Sequence, residues 1–167
     1  MLMHAPGSGS TTEREKGFDA VMAKEFPRIA IVARQFGMSD RARSMAAAED
    51  MFTAHPDLDG IFASAESGTV GTSQAVKSRG LKGKIKFVGF DSSESLVEDL
   101  EAGVIDALVV QDPFKIGHDA VKTLVDKLNG STPPKRIDCP AAVITAAELK
   151  TPEAQRLLRP PLEKYLR

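Results

Sequence analysis

The sequence has no tryptophan, one tyrosine and one cysteine in 167 residues. A single Cys139 excludes an intrachain disulfide and a multi-cysteine metal cluster, and such a residue ordinarily serves as a small apolar filler. Charge of either sign is not in excess: 22 Lys and Arg against 23 Asp and Glu leave a net charge of −1. That balance gives no basic field for nucleic acid. No apolar run is long enough to cross a membrane. Met1-Leu2-Met3 is apolar but has neither the basic start nor the cleavage site of a signal peptide, so none is expected. Catalytic patterns are also missing. His4, His55 and His118 stand in unrelated contexts without the i, i+4 partner of a zinc helix. Gly7-Ser8-Gly9-Ser10 lacks the third glycine of a dinucleotide fingerprint and the lysine of a P-loop, and reads as a flexible strand-to-helix turn. Gly71-Thr72-Ser73-Gln74-Ala75 approximates a nucleophile elbow but lies inside a helical stretch. The expectation is therefore no enzyme, no cofactor and no metal.

What is present is an alternation of short β-branched runs with amphipathic stretches, the signature of βαβ units on a parallel sheet. Strands are expected at Met1–Ala5, Ile29–Val32, Gly60–Ala63, Lys86–Phe90 and Ile105–Val110. Helices are expected from Ser10 or Thr11 to about Phe26, after Asp40, from about Thr69 to Ser78, and from Ser93 to Glu101. This is an α/β class, doubly wound and flavodoxin-like, with about five parallel strands and helices on both faces. After Gln111 the pattern changes. Ile116–Leu128 is an amphipathic helix with Val121, Leu124 and Leu128 in its stripe, Val143-Ile144 is a short strand, and Leu149–Arg167 is a polar tail with a helix near Pro152–Leu158.

In an open parallel sheet, ligands meet the carboxyl ends of the strands. Those ends carry Thr11 and Thr12, Gln35 to Ser39, Ser64 to Ser67, Asp91 with Ser92, and Gln111 with Asp112. They offer hydrogen-bonding groups without an acid–base pair, which suits a neutral, hydroxyl-rich ligand. Asp91, directly after a buried strand, is the best acceptor for vicinal hydroxyls, because hydrogen bonds to an ionised group are about twice as strong as neutral ones. Its alternative role is to cap the helix that begins at Ser93.

Five blocks in register resemble the ribose-binding-like family of periplasmic type I sugar-binding proteins. They are Ser10-Thr11-Thr12-Glu13-Arg14-Glu15-Lys16-Gly17-Phe18; Ala54-His55-Pro56-Asp57-Leu58-Asp59-Gly60-Ile61-Phe62-Ala63; Gly68-Thr69-Val70-Gly71 with Gln74-Ala75-Val76-Lys77; Val88-Gly89-Phe90-Asp91; and Val110-Gln111-Asp112-Pro113 with Gly117. The resemblance implies two doubly wound lobes with sugar in the cleft between them, a permease of an ABC importer as partner, and a periplasmic location. It implies Asp91 as a sugar-hydroxyl acceptor, Gln111 as a hinge-side ligand and Arg14 as a structural residue; Thr12, Gln35 and Glu66 complete the candidate ligand set. Where ribose binders often carry a second arginine, an aromatic ring and an asparagine, this sequence has Thr12, Ser39 and Ala65.

The resemblance divides the chain into a C-terminal sugar-binding lobe (1–111), a crossover helix and strand belonging against an absent N-terminal lobe (112–148), and a tail (149–167). An uncovered helix 116–128 would expose large aliphatics, each worth about 1.5–3 kcal/mol when buried. A homodimer through Val121, Leu124 and Leu128 is the expected remedy. Two other readings stand beside a sugar importer component: the effector lobe of a sugar-responsive transcription regulator, which would need a helix-turn-helix not present here, and a non-binding half-protein acting through dimerisation.

Overall fold

The computed structural model describes residues 1–160 and 162–164. Five βα steps run β1 (Leu2–Met3), α1 (Gly9–Glu25), β2 (Gln35–Phe36), α2 (Arg41–Ala54), β3 (Gly60–Phe62), α3 (Glu66–Ser78), β4 (Lys86–Phe90), α4 (Glu94–Glu101), β5 (Ala107–Gln111) and α5 (Pro113–Leu128). Then come β6 (Ala141–Thr145), α6 (Pro152–Leu158) and a 3-10 turn at Leu162–Lys164. Pro161 and residues 165–167, the end of the expected tail, lie outside the described residues.

β1 pairs parallel with β2, and β3, β4 and β5 pair parallel in sequence. A parallel bridge between Leu2 and Ala63 joins the two groups. The strand order is therefore 2-1-3-4-5, the flavodoxin-like arrangement, with β6 added beyond β5. Side chains alternate across a sheet. One face carries Leu2, Ile61, Ala63, Phe87, Leu108, Val110 and Ile144, all buried against α2, α3, α4 and α6 in one apolar cluster. On the other face Phe62 stacks on Phe18 of α1, with ring centroids 4.8 Å apart.

Local chemistry explains the helix boundaries. The Asp40 carboxylate accepts from the Arg43 amide and caps α2; Asp112 does the same for Lys115 at α5, and Pro113 fits the first turn. Gly71 brings α3 against α2: a Cβ there would lie 2.5 Å from the Arg41 carbonyl and 2.6 Å from the Met45 nitrogen.

Three sequence expectations need correction. The strand expected at Ile29–Val32 is displaced to Gln35–Phe36, and Ile29 and Val32 are exposed. Register is the cause: Leu2 sits opposite Gln35, so no residue of β1 lies opposite 29–32. β-branched composition alone does not make a strand without a neighbour. Second, Ala141–Thr145 does not lack a partner in this lobe. It runs antiparallel beside β5, with Gln111 opposite Ala141 and Ala107 opposite Thr145, and Ile144 is buried. Third, the tail is not merely polar, since Leu149, Ala154, Leu157 and Leu158 join the core. α5 differs from all of these, because none of its sixteen residues is buried.

Candidate functional site

The carboxyl ends of β3, β4 and β5 converge on Arg14, in the second turn of α1. Its Nη2 donates to Gln111 Oε1 at 2.8 Å. Its Nη1 donates to the Ser64 carbonyl at 3.0 Å and lies 3.4 Å from Asp91 Oδ2. The guanidinium carbon stands 3.8 Å from the centroid of the Phe90 ring, a cation–π arrangement. The planar fork of an arginine can satisfy three acceptors and a ring at once, which a lysine cannot.

Asp91 does not cap α4; Ser93 holds that position. Asp91 instead sits at φ +68°, in the left-handed region that Asp and Asn tolerate better than other side chains. This bend follows β4 directly and holds the carboxylate at the strand end. One oxygen faces Arg14, and the side chain remains 30% exposed, so a ligand can reach the carboxylate.

Of the five expected ligand residues, the structure brings Asp91 and Gln111 together through Arg14. Glu66 is the first residue of α3 and pairs with Arg41 of α2 at 2.5 Å, outside that cluster. Thr12 is half-buried on α1. Two residues are about 200° apart around a helix, so Thr12 faces away from the side occupied by Arg14. Gln35 lies within β2 opposite Leu2 rather than beyond the strand, because the strand itself falls later than expected. The residues past that end are Gly37, Met38 and Ser39, the last two also at positive φ.

The resemblance implied a structural role for Arg14, and its three bonds tie the ends of β3, β4 and β5 together, which makes it the hub of this edge. The signal was available: a long cation early in a helix that starts at the ligand edge, among strand ends carrying a carboxylate and an amide. Asp112 next to Gln111 is taken up elsewhere. The Arg156 guanidinium, 2.5 Å away, and then the Lys115 amide hold its carboxyl below the usual range. It ties α6 to the start of α5. Among the described residues no cluster of His, Cys, Asp or Glu suits a metal ion.

The model of the periplasmic binding protein domain matches residues 1–132. The ribose import binding protein of Bacillus subtilis is 28% identical over 144 residues, which is 86% of this chain and 46% of that protein. The D-ribose/D-allose-binding protein of Pseudomonas aeruginosa is 30% identical, covering 87% of this chain and 45% of its own length. Among solved structures, a carbohydrate transporter solute-binding protein from Agrobacterium radiobacter in complex with D-arabinose superposes with a TM-score of 0.89 at 29% identity. The superposition spans 94% of this chain and 53% of that one. A solute-binding protein from Agrobacterium vitis with bound D-fucose gives 0.87 at 32% identity, over 94% and 54%. The chain thus spans about half the length of the curated relatives it matches.

Proposed function

Because this chain belongs to the periplasmic binding protein family, we propose that it is the partial substrate-binding component of a sugar ABC importer, working in the periplasm with a membrane permease. The ligand is a monosaccharide-like polyol held at the carboxyl ends of the strands. Asp91 accepts from its hydroxyls, Gln111 and Arg14 donate to them, and Thr12, Gln35 and Glu66, which lie away from this cluster, take no part in the proposed contacts. The observation that carries this reading is the convergence of Arg14 on Asp91, Gln111 and the Ser64 carbonyl over the Phe90 ring.

The edge is open, and sites that hold small ligands well enclose most of their surface. Affinity for the isolated chain is expected near the millimolar range, about −4 kcal/mol. The test is amide and side-chain NMR during titration with D-ribose, D-allose and D-arabinose. Millimolar sugar should move signals of Arg14, Asp91, Gln111 and neighbours, and Asp91→Ala should abolish those shifts. Uniformly unchanged spectra with every sugar would refute the reading; shifts that survive Asp91→Ala would remove Asp91 from the ligand set.

A second element of the proposal concerns α5. Val121, Leu124, Val125 and Leu128 are exposed along it. Its charges pair along the helix itself, Lys115 with Asp119 and Lys122 with Asp126. What remains to be satisfied is an apolar stripe, and a second copy of the chain, paired through Val121, Leu124 and Leu128, would cover it. Light scattering at micromolar concentration tests this: a dimer is expected, and a monomer refutes it.

A further inference from the structure

Glu15 is a carboxylate at 6% exposure, buried beside the site, and the sugar-binding reading gives it no part. One oxygen, Oε1, accepts both from the His4 amide at 3.0 Å and from the Ser64 hydroxyl at 2.7 Å. Both donors are neutral, and Glu15 makes no ion pair among the described residues. A buried carboxyl group is costly unless it is hydrogen-bonded, and these two bonds meet that need.

The rest of α1 explains what that carboxylate holds. Of its seventeen residues only Thr11 and Glu15 are buried. An amphipathic helix is fixed in rotation by its apolar face, and α1 has little of one beyond the Phe18–Phe62 stack. Glu15 grips the segment after β1 and the end of β3 together. Arg14 is the preceding residue, so the rotation that Glu15 fixes is also the rotation that aims the guanidinium. Ser64 closes the circuit: its hydroxyl donates to Glu15 while its carbonyl accepts from Arg14 Nη1.

We propose that Glu15 is a positioning residue that pins α1 on the ends of β1 and β3 and thereby holds Arg14 between Asp91 and Gln111. The inference rests on the reading of this edge as the ligand site, but its test needs no ligand. The readout is the Arg14 guanidinium Nη–H signals of the full 167-residue chain, the groups that bond Ser64, Asp91 and Gln111, by NMR and hydrogen exchange, with circular dichroism to follow the fold. Glu15→Ala is expected to keep the spectrum of a folded α/β protein while the Arg14 Nη–H groups exchange roughly tenfold faster or more, as loss of a hydrogen bond to a charged group implies. Glu15→Gln keeps an acceptor oxygen for the same two donors and should restore most of the protection. Should Glu15→Ala fail to fold, Ser64→Ala decides, since it removes one of the two grips and should give a smaller acceleration. An Arg14 signal equally protected in Glu15→Ala, or unmoved in Ser64→Ala when the former does not fold, overturns the proposal. A protected Arg14 that no sugar perturbs would instead count against the ligand reading and leave the pin intact.

Discussion

α3 and α5 are helices of similar length with opposite fates. α3 has eight of its thirteen residues buried and lies on the sheet between α2 and α4; α5 has none of sixteen buried. Yet α5 carries the clearer apolar stripe, with large aliphatics at 121, 124, 125 and 128, whereas α3 is built from Gly, Thr, Ser, Ala and Val. Amphipathic pattern reports that a face is suited to burial. It does not report whether the partner is in the same chain. α3 is buried by close approach, which small residues permit, whereas among the described residues no element packs closely enough on α5 to bury any of its side chains.

Substitutions on the two sides of this contrast should separate sharply. Phe87 is fully buried in the cluster that α3 helps to cover. Phe87→Ala should cost about 3–5 kcal/mol, read as a lower urea midpoint with an unchanged slope. A loss under about 1 kcal/mol would mean that the core is not packed as described.

Gly71→Ala should cost about 1–3 kcal/mol, since its Cβ would strike α2 backbone atoms that cannot move independently. The same substitution at Gly117 on α5 meets nothing within 4 Å and should be neutral or slightly stabilising through helix propensity. Thermal melts of the pair compare the two helices directly. The smallest change is Leu124→Ala. At 60% exposure it should alter the stability of a single chain by no more than about 0.5 kcal/mol. Its effect should appear in self-association instead.

Much of the lobe was legible because local and tertiary signals agreed. Lys86–Phe90 and Pro152–Leu158 appear with the boundaries that the sequence suggested, a β-branched run before a turn and a Thr-Pro helix start. Ile29–Val32 failed because strand formation depends on a neighbour, and the register of β1 supplies none there. That error carried Gln35 into the candidate set at the wrong depth. β6 was misassigned because nothing in Ala141–Thr145 specifies which sheet takes it. The strand-end positions of Asp91 and Gln111 were readable from the pattern, and the family resemblance supplied the ligand roles expected of them. The contacts of Arg14 and Glu15 were not, because all but the His4 bond are to partners 49 to 97 residues away along the chain.

The register of β6 has a consequence for the engineering of this chain. Gln111, the last residue of β5, faces Ala141, the first of β6. Everything between them, α5 included, leaves the sheet and returns to the same point. Topologically, residues 112–140 are the loop of a β-hairpin, however much helix they contain. The entropy of closing such a loop changes only slowly with its length. The excursion can therefore be exchanged as a cassette, for a two-residue turn or for another module, while β5 and β6 keep their pairing. The Asp112–Arg156 tether would be the one contact described above to be rebuilt.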